Sequence, residues 1–273
     1  MIGVNRDIKI TTLVENAVYG KGLQGEHGLS LLVDVAGHKV LFDTGASDLF
    51  IRNACQLGID LREVDCLVLS HGHRDHTGGL HHFLRLNDRA TVVCKREALR
   101  PKYKDDRENG LMHPDELDLA RFRFVGQTEE ILPGVFVFPQ LPVADEADTH
   151  FEHFYTLTDG QKRPDRFDDE LALVLKRDLD LAVLSACSHR GITNILRTVR
   201  EAFPAEVLKL VLGGFHIRTA GAGKYDVIAR YLSDHLPQRL GLCHCTGIDQ
   251  YALFHQSFAD RLFYAYTGWV ETF

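Results

Sequence analysis

The densest group of potential metal ligands in this 273-residue sequence is HGHRDH at residues 71–76. It follows the apolar stretch CLVLS, which predicts a buried strand. A turn at the carboxyl end of such a strand lets His71 and His73 point to one metal, while Asp75 and His76 reach a second position nearby. Imidazole and carboxylate ligands with open positions are typical of a catalytic metal site. The alternative, a polar turn with incidental histidines, rarely follows a buried strand.

Further candidate residues follow other predicted strands. His216, in GGFH, is interpreted as a metal ligand, a general acid or a phosphate contact, against the alternative of a histidine hydrogen-bonded at a strand end. His27 is a possible pocket residue, at even odds with a structural role. The sequence GAGK, ending at Lys224, precedes a predicted helix and could hold an anion there, although a plain loop is favoured.

The predicted elements place these residues at strand ends. Short apolar stretches predict strands, and stretches with helical spacing predict helices. The strands are expected at residues 8–15, 29–35, 39–42, 66–69, 91–94, 135–138, 171–176, 181–186, 207–212 and 261–266. The helices are expected at residues 48–57, 80–86, 192–202 and 225–236. Residues 171–186 are predicted to form an antiparallel hairpin, and the layout suggests two sheets covered by helices.

Residues 95–168 are predicted to be an irregular, lid-like insertion, because charged and proline-containing stretches interrupt the pattern there. His113, His150 and His153 lie in this segment and are predicted to be solvated surface residues.

Four further motifs accompany HxHxDH: EHGLSLLVDVAGHKVLFDTG (26–45), LSACSHRGITNIL (184–196), LGGFHI (212–217) and CHCTG (243–247). Together they resemble the metallo-β-lactamase superfamily. The branch they resemble is labelled 7,8-dihydropterin-6-yl-methyl-4-(β-D-ribofuranosyl)aminobenzene 5′-phosphate synthase-like. The resemblance extends from about residue 8 to residue 267. It implies one α/β domain over residues 1–273, a four-layer αβ/βα sandwich of two mixed sheets flanked by helices, with a dinuclear metal site.

The resemblance also implies a ligand set. His71, His73 and His189 would bind the first metal, and Asp75, His76 and His244 the second. Asp43 would accept the ring N–H of a ligand histidine. Cys187 stands where hydrolytic members carry a bridging aspartate, either as a thiolate ligand or buried beside the site, and burial is favoured because free cysteine is commonly a small core residue.

The sequence CHC at residues 243–245 allows another interpretation, a structural zinc bound with Cys187 and His189. Alternate residues on a strand point to opposite faces, so Cys243 and Cys245 would share a metal only if His244 faced away. CxxC pairs, which structural sites usually use, are absent from the sequence. The catalytic interpretation is therefore preferred.

The composition excludes several classes of protein. With 31 Lys and Arg against 38 Asp and Glu, the net charge is −7, so nucleic-acid binding is not expected. The longest apolar runs are too short to cross a membrane. Residues 1–16 lack the pattern of a signal peptide, which predicts a cytoplasmic protein whose six cysteines stay reduced. Nothing in the sequence indicates an oligomeric state.

The predicted function is metal-dependent hydrolysis of a small anionic, possibly phosphorylated, substrate through a metal-bound hydroxide. Two divalent ions are expected; zinc is the first choice, and manganese, iron or nickel suit the same ligands. Asp75 and His216 are the candidate catalytic residues, and Arg190, Arg218 and Lys224 are candidate charge partners of the substrate.

Three alternatives to the hydrolase remain. One is a pterin-related synthase, which joins a dihydropterin to a ribofuranosylaminobenzene 5′-phosphate. The second is an iron-dependent redox enzyme, which metal identity would distinguish because zinc cannot change oxidation state. A non-enzymatic metal-storing or ligand-sensing module ranks below these, because it predicts a site without open positions.

Overall fold

The computed structural model describes residues 7–273, apart from the side chain of Ala222. The strands, in chain order, are β1 (Lys9–Val14), β2 (Ser30–Val35), β3 (His38–Phe42), β4 (Cys66–Val68), β5 (Thr91–Cys94), β6 (Lys102–Lys104), β7 (Arg107–Glu108), β8 (Phe122–Phe124), β9 (Glu129–Leu132), β10 (Val135–Phe138), β11 (Phe154–Thr158), β12 (Gln161–Pro164), β13 (Ala172–Arg177), β14 (Asp180–Ser185), β15 (Val207–Gly213), β16 (Arg239–Leu242), β17 (Leu262–Tyr264) and β18 (Val270–Thr272).

The α-helices are α1 (Leu49–Gln56), α2 (Arg74–Thr77), α3 (Leu80–Leu86), α4 (Ile192–Ala202), α5 (Ala222–Asp234) and α6 (Ile248–Phe258). Short 3-10 helices cover Leu61–Glu63, Arg96–Leu99, Pro114–Glu116, Leu119–Arg121 and His244–Thr246.

Two large mixed sheets form the centre of the molecule. The order of the first is β18-β1-β2-β3-β4-β5-β8, and that of the second is β17-β16-β15-β14-β13-β10-β9. Strands β3, β4, β5 and β8 run parallel, as do β14, β15, β16 and β17. The carboxyl ends of neighbouring parallel strands therefore meet at one edge of each sheet.

The side chains of the sheets form three apolar layers, because residues on both faces of the central strands are apolar. On β2, Leu31 and Val33 belong to the cluster between the sheets, whereas Leu32 packs with residues of α1 and α3. On β13, Leu173 and Val174 divide in the same way between the central layer and the layer under α4–α6. Since a strand alternates its side chains, the two-faced apolar pattern produces an αβ/βα sandwich, as predicted.

Most of the predicted elements are confirmed. Helices α3 and α4 begin and end at the predicted residues, and β13 pairs with β14 in the predicted antiparallel hairpin. Helix α1 lies within the predicted residues 48–57, and the backbone N–H of Leu49 at its start donates to Ser47 Oγ at 3.1 Å. Strands β16 and β18 and helix α6 were not predicted.

The predicted irregular backbone at residues 95–168 is wrong for much of that segment. Strands β6, β7, β11 and β12 form a third sheet, in the order β12-β11-β6-β7. Strands β8, β9 and β10 extend the two large sheets. The segment was hard to recognise because its exposed strands carry charged residues instead of an apolar alternation; all four residues of β12, for example, are exposed.

Within residues 7–273, no helix is both long enough and apolar enough to cross a membrane.

Candidate metal centre

The candidate ligands lie in turns at the carboxyl ends of five strands. Asp43 follows β3, the HGHRDH motif follows β4, and His189 follows β14. His216 and His244 follow β15 and β16. Because both large sheets present these ends to the same place, the turns of the two halves face each other, as is usual for sites of α/β sheets.

The backbone of these turns is strained. Asp43, Ser188, His216 and His244 all have φ between 51° and 62°. This left-handed region costs a residue with a side chain about 1–3 kcal/mol, and such residues cluster at functional sites. The surrounding strands therefore fix an otherwise unfavourable arrangement.

The structure brings His71, His73 and His189 together as a first donor group, the set that the resemblance implies. Their ring centroids are 4.7, 5.1 and 5.2 Å apart, and one ring nitrogen of each lies within 4.8 Å of the others. All three are buried, and among the described residues their Nε2 atoms have no hydrogen-bond partner. Burial lowers the pKa of His73 to about 3 and the pKa values of His71 and His189 well below their usual range. Neutral imidazoles with a free nitrogen suit a metal ion.

Hydrogen bonds fix which ring nitrogen is free. Ser70 donates its hydroxyl hydrogen to Asp43 Oδ2 at 2.7 Å, so Ser70 Oγ accepts from His71 Nδ1 at 2.8 Å. His189 Nδ1 donates to the carbonyl oxygen of His150 at 3.2 Å. In both residues the lone pair is therefore on Nε2, which faces the group.

The second predicted group surrounds Asp75. Its Oδ2 lies 3.3 Å from His244 Nε2 and 3.7 Å from His76 Nε2. His76 Nδ1 donates to Asp43 Oδ2 at 2.7 Å, and His244 Nδ1 donates to Asn16 Oδ1 at 2.9 Å. Each Nε2 thus directs its lone pair at the carboxylate, an arrangement that requires a positive charge between them, either a proton or a metal ion.

The charges in this group favour an ionised carboxylate. Burial opposes the ionisation of Asp75, but His76 and His244 outweigh it and hold the pKa of that carboxyl well below its usual range. Burial likewise opposes a charge on His76, but Asp75 and Asp43 raise its pKa. The group therefore attracts a cation.

His27 has a different role from the other histidines. Asn16 Nδ2 donates to His27 Nδ1 at 3.1 Å, so the ring hydrogen is on Nε2, which lies 3.3 Å from Asp75 Oδ2. His27 therefore lies beside the Asp75 carboxylate, at the exposed edge of the second group.

Cys187 lies between the two groups. It is buried, as predicted, and its sulfur is 3.2 Å from His76 Nε2. Its sulfur also lies within 4.8 Å of three pairs of donor atoms, which belong to His71 with His76, His189 with His216, and His244 with Cys245. Cys243 packs instead in the apolar layer between the sheets. The two cysteines of CHC thus face different surroundings, and only Cys245 lies near the candidate metal centre.

His216 and His150 extend the centre towards solvent. The His216 ring centroid is 4.2 Å from that of His189 and 5.5 Å from that of His150. Burial lowers the pKa of His150 to about 3 and that of His216 well below its usual range. The prediction of a surface position is confirmed for His113 and His153, whose side chains are 67% and 71% exposed, but is wrong for His150, which is 5% exposed.

The glycines before His216 serve packing. A Cβ on Gly213 (φ +150°) would lie 1.7 Å from the Ser185 carbonyl oxygen, and one on Gly214 would lie 2.4 Å from Cys245 Sγ. The two glycines therefore allow the backbone at the end of β15 to lie close to the neighbouring strand ends.

Two acidic residues that were not predicted hold the ligand turns. Asp169 Oδ2 accepts the backbone N–H of Gly72 at 2.7 Å. Glu170 accepts the backbone N–H groups of His189 and Arg190 at 2.7 and 2.8 Å. Burial raises the pKa of Glu170 to about 7 against the effect of these donors. The sequence signal for Asp169 and Glu170 was a charged stretch directly before an apolar strand. Carboxylates that become buried in such a place need hydrogen-bond partners.

Arg190 is the predicted pocket residue that lies apart from the centre. Its guanidinium donates to the carbonyl oxygens of Leu141 and Arg166 at 2.7 Å each, and lies 3.2 Å from Asp168. It lines a different cavity, together with Lys95.

Fold and site together define a sandwich of two helix-covered sheets with a histidine-rich candidate metal centre at the strand ends. A sequence profile of the metallo-beta-lactamase superfamily matches residues 23–163, and the chain belongs to this superfamily. The solved structure of Tm1679, a metal-dependent hydrolase of the beta-lactamase superfamily, is 33% identical, with a TM-score of 0.86 over 97% of this chain and 98% of that one.

Two relatives from Methanocaldococcus jannaschii agree with the branch that the motifs resemble. One, 26% identical over 95% of this chain and 94% of its own length, is named 7,8-dihydropterin-6-methyl-4-(beta-D-ribofuranosyl)-aminobenzene-5′-phosphate synthase. The other, the uncharacterized protein MJ0448, is 28% identical over 95% of this chain and 98% of its own length.

Proposed function

We propose that the protein is a dinuclear metal-dependent hydrolase of a small anionic substrate. His71, His73 and His189 would hold one ion, and Asp75 with His76 and His244 the other. Zinc is the first choice, because a set of imidazole and carboxylate donors suits it.

The observation that carries this proposal is the orientation of the histidines. His71 and His189 have Nδ1 bonded to an acceptor and an Nε2 without a partner within residues 7–273, so that Nε2 presents a lone pair to its group. His76 and His244 also have Nδ1 bonded to an acceptor, and their Nε2 atoms lie next to Asp75. Partners of this kind are what metal-bound histidines use. A histidine serving only in the core would have used both nitrogens, because an unpaired buried polar atom costs free energy.

Bound divalent ions would supply Lewis-acid activation of water and of a carbonyl or phosphoryl oxygen. The protein's own residues would position the reactants. His27, whose Nε2 lies 3.3 Å from Asp75 Oδ2, would help to orient this carboxylate. His216, next to His189 and partly open to a cavity, is suited to contact the substrate.

The experiment that tests the metal centre is elemental analysis of the purified protein. We expect about two ions per chain, and about one or fewer in the His71→Ala and Asp75→Ala variants. His113→Ala, which changes an exposed histidine, is the matched control. Wild-type metal content in either site variant would contradict the ligand assignment.

Activity is tested with the metal-loaded protein on a panel of phosphodiesters and thioesters. Turnover that disappears in His71→Ala supports hydrolysis. If His216→Ala abolishes turnover and keeps both ions, His216 is a catalytic residue and not a ligand. Iron as the bound metal, without hydrolysis, would favour the redox alternative.

The relative named as a synthase favours a second candidate function, in which a ribofuranosylaminobenzene 5′-phosphate displaces a leaving group, such as a diphosphate, from the 6-methyl carbon of a dihydropterin. Incubation of the metal-loaded protein with the aminobenzene and a dihydropterin that carries this leaving group distinguishes the condensation from hydrolysis. Formation of the joined product, lost in His71→Ala, would replace the hydrolase proposal.

A further inference from the structure

A cavity of about 400 Å³ adjoins the metal centre. His150 and His216 line it, together with Lys104, Phe154 and Lys224. Because the His216 ring packs against that of His189, a molecule in the cavity would lie next to the first donor group.

The ring hydrogen of His150 is placed by Lys224. Lys224 Nζ lies 3.2 Å from His150 Nδ1, and an ammonium group can only donate, so Nδ1 accepts and the hydrogen is on Nε2. Lys224 is itself held by the Thr149 carbonyl oxygen and by Glu152 Oε1 at 3.5 Å. The orientation of His150 is therefore fixed from one side.

The resulting Nε2–H has no acceptor within residues 7–273, although His150 is only 5% exposed. A buried donor without a partner costs about 1–3 kcal/mol, which an incoming acceptor recovers. His216 Nδ1 is a second buried ring nitrogen without a partner there.

The surroundings of this donor favour a negatively charged acceptor. Thr219 and Gly221 line the cavity directly before the 13-residue helix α5. The first N–H groups of a helix lack intrahelical partners and carry partial positive charge. Lys104 and Lys224 add two ammonium groups, and the opposing carboxylate of Glu152 is 68% exposed and already paired with Lys224.

We propose that His150, oriented by Lys224, binds an anionic phosphate group of the substrate at the amino end of α5, and so positions the rest of the substrate at the metal centre. This inference rests on the proposed hydrolase function, which it extends by naming the group that is recognised.

The test is calorimetric titration of the metal-loaded protein with inorganic phosphate and, separately, with acetate. We expect phosphate affinity to fall at least tenfold in His150→Phe, which keeps the aromatic volume but removes the donor, and in Lys224→Met. His150→Gln, which restores an N–H in a similar place, should recover most of the affinity. His113→Phe and Lys209→Met are the matched controls and should bind phosphate like the wild type.

The possible outcomes separate the two proposals. Wild-type phosphate affinity in both His150→Phe and Lys224→Met, with full metal content, would overturn this proposal alone. Equal binding of acetate and phosphate would also overturn it, because the site would then recognise carboxylates. If the wild type holds no metal, the hydrolase proposal fails, while the same titrations on the metal-free protein still decide the role of His150. If His150→Phe does not fold, the partly buried Lys224 carries the test.

Discussion

At the scale of single residues, the hydrogen on each imidazole ring decides what that histidine can do. Where Nδ1 meets an acceptor, as in His71 and His189, Nε2 is free to bind a metal. Where Nδ1 meets a donor, as in His27 and His150, Nε2 carries the hydrogen and is left able to donate. Histidines of similar appearance thus divide into candidate ligands and candidate donors.

The role of Asp43 follows from this division. It accepts from His76 Nδ1 and from both the N–H and the hydroxyl of Ser70, all at 2.7 Å. Asp43→Asn would place an amide N–H₂ against one of these donors. We expect metal affinity to fall about 10–100-fold with the fold retained. Competition with a chelator measures the affinity, Asp88→Asn at an exposed position is the control, and unchanged affinity would contradict the prediction.

Cys187 provides a second prediction at this scale. Burial raises the pKa of its thiol well above the usual range, so the sulfur would lose its proton only on binding a metal. Since burial opposes ionisation of the thiol, we expect the cobalt(II)-substituted protein to lack strong thiolate-to-cobalt absorption in the near ultraviolet. A thiolate band that disappears in Cys187→Ser and persists in the matched variant Cys245→Ser would contradict this prediction and make Cys187 a ligand.

How far the site could be predicted from the sequence depends on whether the donors are local. The four candidate ligands of HGHRDH lie within six residues and follow one strand, so the motif alone indicates them. His150 was missed because its burial depends on contacts with His189 and Lys224, 39 and 74 residues away. No local pattern marks such a residue.

At the scale of elements, β6 and the residues after β12 hold the first ligand turn. Lys102 Nζ lies between Asp165 Oδ2 at 2.8 Å and Asp169 Oδ1 at 2.7 Å, and Asp169 accepts from Gly72 within the motif. Lys102 is 3% exposed, and the two carboxylates raise its pKa against the effect of burial. The segment predicted to be lid-like therefore contributes Lys102 and Asp165, which help to hold the turn of the HGHRDH motif.

Removing this lysine should be costly. Lys102→Met leaves two buried carboxylates without a counter-charge, and the loss of one partner of a buried ion pair costs about 3–5 kcal/mol. We expect the free energy of unfolding in urea to fall by about that amount. Lys39→Met, which breaks a partly exposed pair with Glu63, should change it by less than about 1 kcal/mol. Equal effects of the two variants would contradict the structural role of Lys102.

Elements were predictable where burial imposed a pattern. Helix α4 buries six of its eleven residues and was predicted at its exact bounds. Helix α6 buries only Phe254 and Phe258, while Ile248 is 63% exposed, so its apolar residues do not mark one face. The surface sheet around β11 and β12 lacked a pattern for the same reason.

At the scale of the whole molecule, the two sheets meet the candidate metal centre from opposite sides. His71 and His73 belong to the half with β4, whereas His189 belongs to the half with β14. A metal bound by all three would link the two halves, and an unfolded chain would not present these donors together. Metal binding should therefore stabilise the fold.

This linkage can be measured as a difference in melting temperature between metal-loaded and chelated protein. A ligand present at about 1,000 times its Kd contributes about 4 kcal/mol, which for a chain of this size corresponds to roughly 10 °C. We expect the difference to fall by roughly half in both His71→Ala and His189→Ala, because the second ion can still bind, and to persist in full in His113→Ala. If the difference falls in only one of the two ligand variants, the first ion is held by one half of the molecule, and the two sheets are joined by their apolar layer alone.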